Sequence, residues 1–286
     1  MSEAYAGIEL GGTKCVAILA SGPDRILARE TVPTTRPNET LGRLGQILSG
    51  WKSEGFRALG IASFGPLDLE AGTIASTPKA GWRDAEVKRM LEKAAALPAI
   101  FDTDVNGAAL AEMRWGSGQG FDDFAYITVG TGVGVGLIVN GRPTRGFAHC
   151  ELGHIRVARL PGDTFAGSCP FHGDCVEGLA AGPSLKARVC DSIADLRHDD
   201  LVWDSVAWAL AQLCHAIVCA AAPRAIAIGG GVIENQPHLL ERIERMLVDS
   251  LNGYVELPGT GYVQAPRLGS DAGPLGAIAL AMSARP

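Results

Sequence analysis

Three short stretches carry residues whose types and spacing could do chemistry. In "CPFHGDC", Cys169, His172 and Cys175 stand three apart, with Gly173 allowing a tight turn. His154 lies 15 residues before Cys169, in "ELGH". Two thiolates and two imidazoles make a closed tetrahedral set for zinc, and four protein ligands leave no open position, so such a zinc would be structural. His149 and Cys150 lie close enough to substitute for a ligand, and a cysteine-rich loop without metal is the lesser alternative.

The second stretch is "FDTDVNGAALAEMRWG". The preceding "PAIF" reads as a strand and "VNGAALAEM" as the start of a helix, which puts Asp104 at the junction. Phosphoryl transfer to a hydroxyl asks for positioning, charge neutralisation and a group that takes the hydroxyl proton. A carboxylate at a strand end suits that last task. Asp is also a common helix cap, and Asp102 and Asn106 compete with Asp104 for that place.

The third is "GIELGGTK", Gly7 to Lys14, a P-loop with its last two letters exchanged. A P-loop feeds a helix, whereas Lys14 is followed by the strand-like "CVAILA". The reading is strand, Gly11-Gly12-Thr13 turn, strand: either a plain hairpin or one whose backbone N–H groups converge on an anion, with Thr13 adding a hydroxyl. Lys14 could reach a phosphate or simply be exposed. "YITVGTGVGVGLIV" repeats the pattern around Gly130, Thr131 and Gly132. Setting Ile8 on Ile127 puts Gly11 on Gly130, Val16 on Val135 and Ile18 on Leu137, which suggests an internal duplication with two glycine hairpins facing a shared cleft. A third glycine turn, "AIAIGGGVI", follows another apolar strand and contains Gly230 and Gly231.

Composition sets the frame for these elements. The chain has 286 residues, 47% hydrophobic and 20% charged, enough for two domains. A net charge of −6 and a pI near 5.5 give no basic footprint for nucleic acid. The N-terminus lacks the pattern of a signal peptide, so a cytoplasmic location is expected. "SVAWALAQLCHAIVCAAAP", from Ser205, reads as a buried core helix and not a membrane span, since it carries Gln212 and His215. The cysteines total seven, and those outside the zinc set, Cys15, Cys150, Cys190, Cys214 and Cys219, read as small core residues.

With "ELGGTK", "DTDVNGAALAE", "VGTGVGVGLIVNG", "ELGH", "CPFHGDCVEGLAAGPS" and "SDAGPLGAIALA" in place, the sequence resembles the actin-like superfold of sugar kinases and Hsp70. More narrowly it is similar to the ROK family (repressors, open reading frames and kinases), from Gly7 to about Ala281. The resemblance implies an α/β, duplicated two-domain ATPase fold with an interdomain cleft. It implies ATP and a hexose as partners, and Mg2+ accompanying ATP. In it Asp104 is the general base, and Thr103 stands where an Asn commonly meets the sugar. Glu151, His154 and Glu177 hold sugar, His154 while also ligating zinc, and Pro78 in "STPKAGW" lies in a loop that reaches the sugar. Thr13 and Thr131 flank the phosphates, Gly230 and Gly231 lie near adenosine, and the Pro183 loop closes the same side. Glu9 takes the place of an acidic residue that orients magnesium or its waters, and on its own also fits a solvent-facing strand position. His172 in place of a commoner cysteine, Glu9, Thr103 and "STPKAGW" look like the fructokinase branch.

The expected organisation is a small α/β domain at 1–116, a large one at 117–268, and a last helix, 269–286, packing back on the first. The expected activity is transfer of phosphate from ATP to the 6-hydroxyl of D-fructose. Glucokinase or mannokinase activity is the alternative, and a non-catalytic sugar-binding protein stands behind both. A DNA-binding repressor would need a helix-turn-helix module ahead of the first hairpin, where only six residues precede Gly7. No membrane or nucleic-acid partner is expected, and a homodimer is compatible with the reading. Loss of the zinc ligands is expected to weaken sugar binding more than nucleotide binding.

Overall fold

The structure is a computed structural model that describes residues 4–77, 79–189, 193 and 196–284. Pro78 and Cys190 lie outside the described residues. The chain divides into two compact units: Met1–Gln119 with Pro143–Cys150 and Ser270–Pro286, and Gly120–Arg142 with Glu151–Gly269. The segment Pro143–Cys150, expected in the second domain, clusters with the first unit. Two long-range bonds account for this. Arg145 Nη2 donates to Asp102 Oδ2 at 2.8 Å, and the Leu67 amide donates to His149 Nε2 at 2.8 Å.

The first unit contains β1 (Tyr5–Leu10), β2 (Lys14–Gly22), β3 (Arg25–Pro33), α1 (Pro37–Gly50), β4 (Leu59–Ser63), β5 (Leu67–Asp68), β6 (Thr73–Ile74), α2 (Val87–Ala95), β7 (Ala99–Thr103) and α3 (Asp104–Trp115). The second contains β8 (Phe124–Val129), β9 (Val133–Val139), β10 (Arg142–Pro143, whose Pro143 groups with the first), α4 (Val176–Ala180), α5 (Gly182–Arg188), α6 (Leu201–Ala221), β11 (Ile226–Gly229), α7 (Gly231–Asn235), α8 (Leu239–Leu251) and β12 (Val263–Gln264). The last helix, α9 (Ala272–Met282), returns to the first unit.

The two main sheets share one plan. The first runs β3-β2-β1-β4-β7 and the second β10-β9-β8-β11-β12. In each, an antiparallel glycine hairpin (β1–β2 or β8–β9) leads into parallel pairing with the next strand (β4 or β11). The match between the hairpins shifts by one residue beyond the turn. Ile8 pairs with Ala17, whereas Ile127 pairs with Val135, so Ala17 and not Val16 corresponds to Val135. The first turn is one residue longer, and a one-residue slip moves every later side chain to the other face. Burial agrees: Ile8 and Ala17 share the core of the first unit, and Ile127 and Val135 that of the second.

Strand alternation divides β1. Ala6, Ile8 and Leu10 enter a core completed by Leu41, Leu44 and Leu48 of α1 and Val87 and Leu91 of α2. The opposite face turns Gly7 and Glu9 toward α9. α1 begins with Pro37, whose missing N–H costs nothing in the first turn. In the second unit, α8 buries Leu239, Ile243, Leu247 and Leu251, the four-residue spacing of one helical face. α6 is 21 residues long and apolar enough to cross a membrane, yet Trp203, Val206, Leu210, Leu213, Cys214 and Ile217 are core residues of this unit. Of the remaining cysteines, Cys15 and Cys214 are buried as expected, but Cys150 is half-buried and Cys219 exposed near the end of α6.

Candidate active site

Asp104 opens α3 directly after β7, half-buried. The helix cap is Thr103: its Oγ1 accepts from the Asn106 amide at 3.2 Å, satisfying one of the unpaired N–H groups of the first turn. Thr103 is only 5% exposed. Asp102, 2% exposed, braces the same junction. Its Oδ1 accepts from the Thr103 amide and from Asn106 Nδ2, both at 2.8 Å, and its Oδ2 takes Arg145 Nη2. A buried carboxylate with all these partners holds the strand-to-helix corner rigid. Arg145 was not anticipated; it is distant in sequence, and only tertiary pairing with Asp102 marks it.

The first hairpin lies in the same unit. The Gly11 amide donates to the Lys14 carbonyl at 3.1 Å, closing the turn, and Thr34 Oγ1 donates to the Gly11 carbonyl at 2.7 Å. Gly12, Thr13 and Lys14 are exposed. A Cβ on Gly12 would meet nothing within 4 Å, so a ligand can approach the backbone there. Lys79 Nζ donates to the Gly12 carbonyl, adding a cation at the turn beside Lys14. The lysine of "STPKAGW", the segment expected to reach the sugar, thus meets the glycine hairpin. Glu9 faces α9, where a Cβ on Gly273 would lie 2.0 Å from Glu9 Oε1. Burial raises the Glu9 pKa above 4.5; Lys14 and Arg29 oppose the rise and Asp271 adds to it.

The second unit carries its own hairpin, in which the Gly130 amide donates to the Gly132 carbonyl at 2.9 Å and Thr131 is exposed. The space beside Gly132 is already taken: a Cβ there would lie 2.5 Å from Glu177 Oε2, which also accepts from the Val133 amide at 3.2 Å. Glu177 lies in the first turn of α4 and is half-buried there. A side chain at Gly132 would therefore strike Glu177 as well as any approaching phosphate. Pro183, exposed, is the second residue of α5, and Gly230, with φ +87°, breaks β11 from α7. Gly231, exposed, opens α7.

His154, Cys169, His172 and Cys175 offer ligand atoms that all lie within 4.8 Å of one another. Nδ1 of His154 is 3.7 Å from Cys169 Sγ and 3.6 Å from Cys175 Sγ, and Nδ1 of His172 is 3.7 Å from Cys169 Sγ. Four soft and borderline donors at these separations suit one tetrahedral ion. His154 Nε2 points away from the sulfurs and lies 4.0 Å from Glu177 Oε2. His149 and Cys150 take no part in the cluster; His149 holds the Leu67 amide and Cys150 Sγ donates to the Thr144 carbonyl at 3.3 Å. Glu151 is exposed immediately before the short helix, Leu152–His154, that carries His154.

Two sheets of one plan, each with a glycine hairpin, together with a carboxylate at a strand end, define an actin-like α/β fold of the sugar-kinase type. Within that class the chain belongs to the ROK family, whose profile matches residues 5–284. It is 39% identical to the fructokinase of Lactococcus lactis subsp. cremoris over 93% of this chain and 92% of that protein. It superposes on the ROK hexokinase of Thermus thermophilus with a TM-score of 0.81 at 30% identity, covering 98% of both chains. A ROK glucokinase from Streptomyces griseus in complex with glucose and AMPPNP matches with a TM-score of 0.74 at 27% identity, covering 98% of this chain and 100% of that one.

Proposed function

We propose that this chain phosphorylates a hexose with ATP, and that the hexose is D-fructose, modified at its 6-hydroxyl. The observation that carries the kinase reading is Asp104 at the β7–α3 corner. Thr103 takes the cap, Asp102 and Asn106 brace the corner, and Asp104, whose Oδ1 accepts from the Val105 amide at 2.9 Å, is held at the strand end where a base is needed. Asp104 accepts the proton of the sugar hydroxyl as its oxygen bonds to the γ-phosphorus, while the bond from that phosphorus to the β-bridging oxygen breaks and ADP leaves. The backbone of each glycine hairpin and the hydroxyls of Thr13 and Thr131 receive phosphate oxygens, and Lys14 and Lys79 add positive charge at the first hairpin. Gly230, Gly231 and Pro183 border the adenosine. Mg2+, bound with ATP, neutralises the phosphates; the desolvated Glu9 carboxylate fits a role in holding its waters. Zinc on His154, Cys169, His172 and Cys175 would cross-link the loop that presents Glu151, His154 and Glu177 to the sugar.

Fructose is favoured by the higher identity to the Lactococcus fructokinase, 39%, than to the Streptomyces glucokinase, 27%. Fructose, mannose and glucose share the reacting hydroxymethyl group, so some turnover of each is expected. ADP release is measured with each hexose at saturating MgATP. Fructose is expected to give the highest kcat/KM; a glucose or N-acetylmannosamine value more than about tenfold above it overturns fructose and leaves the kinase standing. No hexose-dependent ADP release with any sugar overturns the kinase.

A further inference from the structure

We infer that the metal-bearing loop backs the second glycine hairpin, with Glu177 as the positioning residue that joins them, so that losing the metal loosens nucleotide binding as well as sugar binding. The inference rests on the reading of that hairpin as a phosphate holder and departs from the expectation that sugar binding would weaken more than nucleotide binding.

The connection runs through α4. Its N-cap is Cys175, a cluster residue, and two residues on Glu177 Oε2 accepts from the Val133 amide at 3.2 Å. The same oxygen lies 4.0 Å from His154 Nε2. When Nδ1 of a histidine is given to a metal, the ring proton is on Nε2 and is directed to an outer carboxylate, which fixes the ring. Here the carboxylate on that side is Glu177, 4.0 Å from Nε2 and within reach through a small shift, and it is itself bonded to the hairpin backbone. Beyond α4 the Gly182 amide donates to the Gly130 carbonyl at 2.8 Å, so the hairpin is held at both ends of its turn by one short segment. The helix carrying His154 presses on the same strand start: a Cβ on Gly153 would lie 1.8 Å from the Val133 carbonyl oxygen. α4 is in turn seated on the metal loop, since the Ser168 amide donates to the Gly178 carbonyl at 2.9 Å. Nothing in this arrangement ties the cluster to sugar alone. The turn that offers Thr131 and the Gly132 backbone has Glu177 filling the space behind it.

The test uses the full chain with its metal. Binding of a fluorescent MgADP analogue and hydrogen exchange of amides 130–134 are measured for wild type, chelator-treated protein, Glu177→Ala and Glu177→Gln, with metal content alongside. Glu177→Ala keeps the metal, raises the MgADP dissociation constant about tenfold and speeds exchange at 130–134. Glu177→Gln retains an oxygen for the Val133 amide and stays within about threefold of wild type. Chelation, which needs no variant to fold, raises the constant and the exchange as Glu177→Ala does. Unchanged exchange at 130–134 after chelation and in Glu177→Ala overturns the inference. If wild type binds no MgADP, the nucleotide reading of the hairpin fails, while exchange at 130–134 still decides the coupling.

Discussion

Thr103 caps α3, and the proposed base role falls to its neighbour Asp104. With Thr103 as the cap, Asp104→Asn removes basicity while keeping an oxygen for the Val105 amide, which Asp104 Oδ1 accepts at 2.9 Å. Asp104→Asn is expected to lower kcat by roughly 100-fold or more, the scale of general-base loss, with MgATP binding nearly unchanged. Steady-state kinetics against hexose and ATP check this, and a variant retaining a third of wild-type kcat would remove the base role. Glu9 gives a prediction of opposite sign. Its carboxyl titrates above 4.5 because burial disfavours the charge. A group whose folded pKa is raised stabilises the fold most at low pH and loses that contribution as pH climbs from 4.5 through the folded value. Glu9→Gln should therefore raise Tm at pH 7, with the gain vanishing below about pH 4. The same variant should need roughly 10-fold more Mg2+ for half-maximal ADP release if Glu9 holds the metal's waters. Calorimetry across pH and a magnesium titration read the two effects separately.

At the scale of elements, short segments without regular structure are fastened by charge. Asp163 accepts from Arg188 at the end of α5 through two bonds, Oδ1 to Nη1 at 3.0 Å and Oδ2 to Nη2 at 2.8 Å, and Arg188 also lies over the Phe165 ring at 4.2 Å. The Arg188 guanidinium holds the Asp163 pKa down to about 2 against an ordinary 3.8. A depressed carboxyl contributes its full stabilisation above the ordinary value and loses it as pH falls through 3.8 toward 2. The side chains are 9% and 7% exposed, so Asp163→Asn leaves a nearly buried guanidinium without its counter-charge. The expected cost is about 3 kcal/mol at pH 7, smaller at pH 3, read by urea unfolding at both values.

For the molecule as a whole, the metal cluster predicts a localised response. Elemental analysis should return about one zinc per chain. Chelation should speed hydrogen exchange in 151–184 and at the hairpin amides 130–134, while leaving the sheet of the first unit, Tyr5 to Thr103, at its native protection. Full zinc occupancy in Cys169→Ala/Cys175→Ala would rule out the ligand set.

Much of this was legible in the chain, because its signals are local. Cys169, His172 and Cys175 sit within one turn-bearing heptapeptide, and ligand spacing is a sequence property. The glycine hairpins announce themselves because only glycine lets backbone come so close to an anion or a neighbour. Asp104 was visible at its corner, though which of four neighbouring polar residues caps the helix depends on side-chain rotamers that composition does not encode. The hairpin register was misread for a related reason. Both faces of β2 and β9 are largely buried, so apolar periodicity cannot report a one-residue difference in turn length. Contacts across long sequence separations were out of reach altogether. Arg145 on Asp102, His149 on Leu67, Lys79 on Gly12 and Glu177 behind Gly132 each join residues from separate elements. Sequence by itself determined which residues could ligate, donate or accept; which of them meet was decided by the packing of strands and helices that brings distant residues within hydrogen-bond reach.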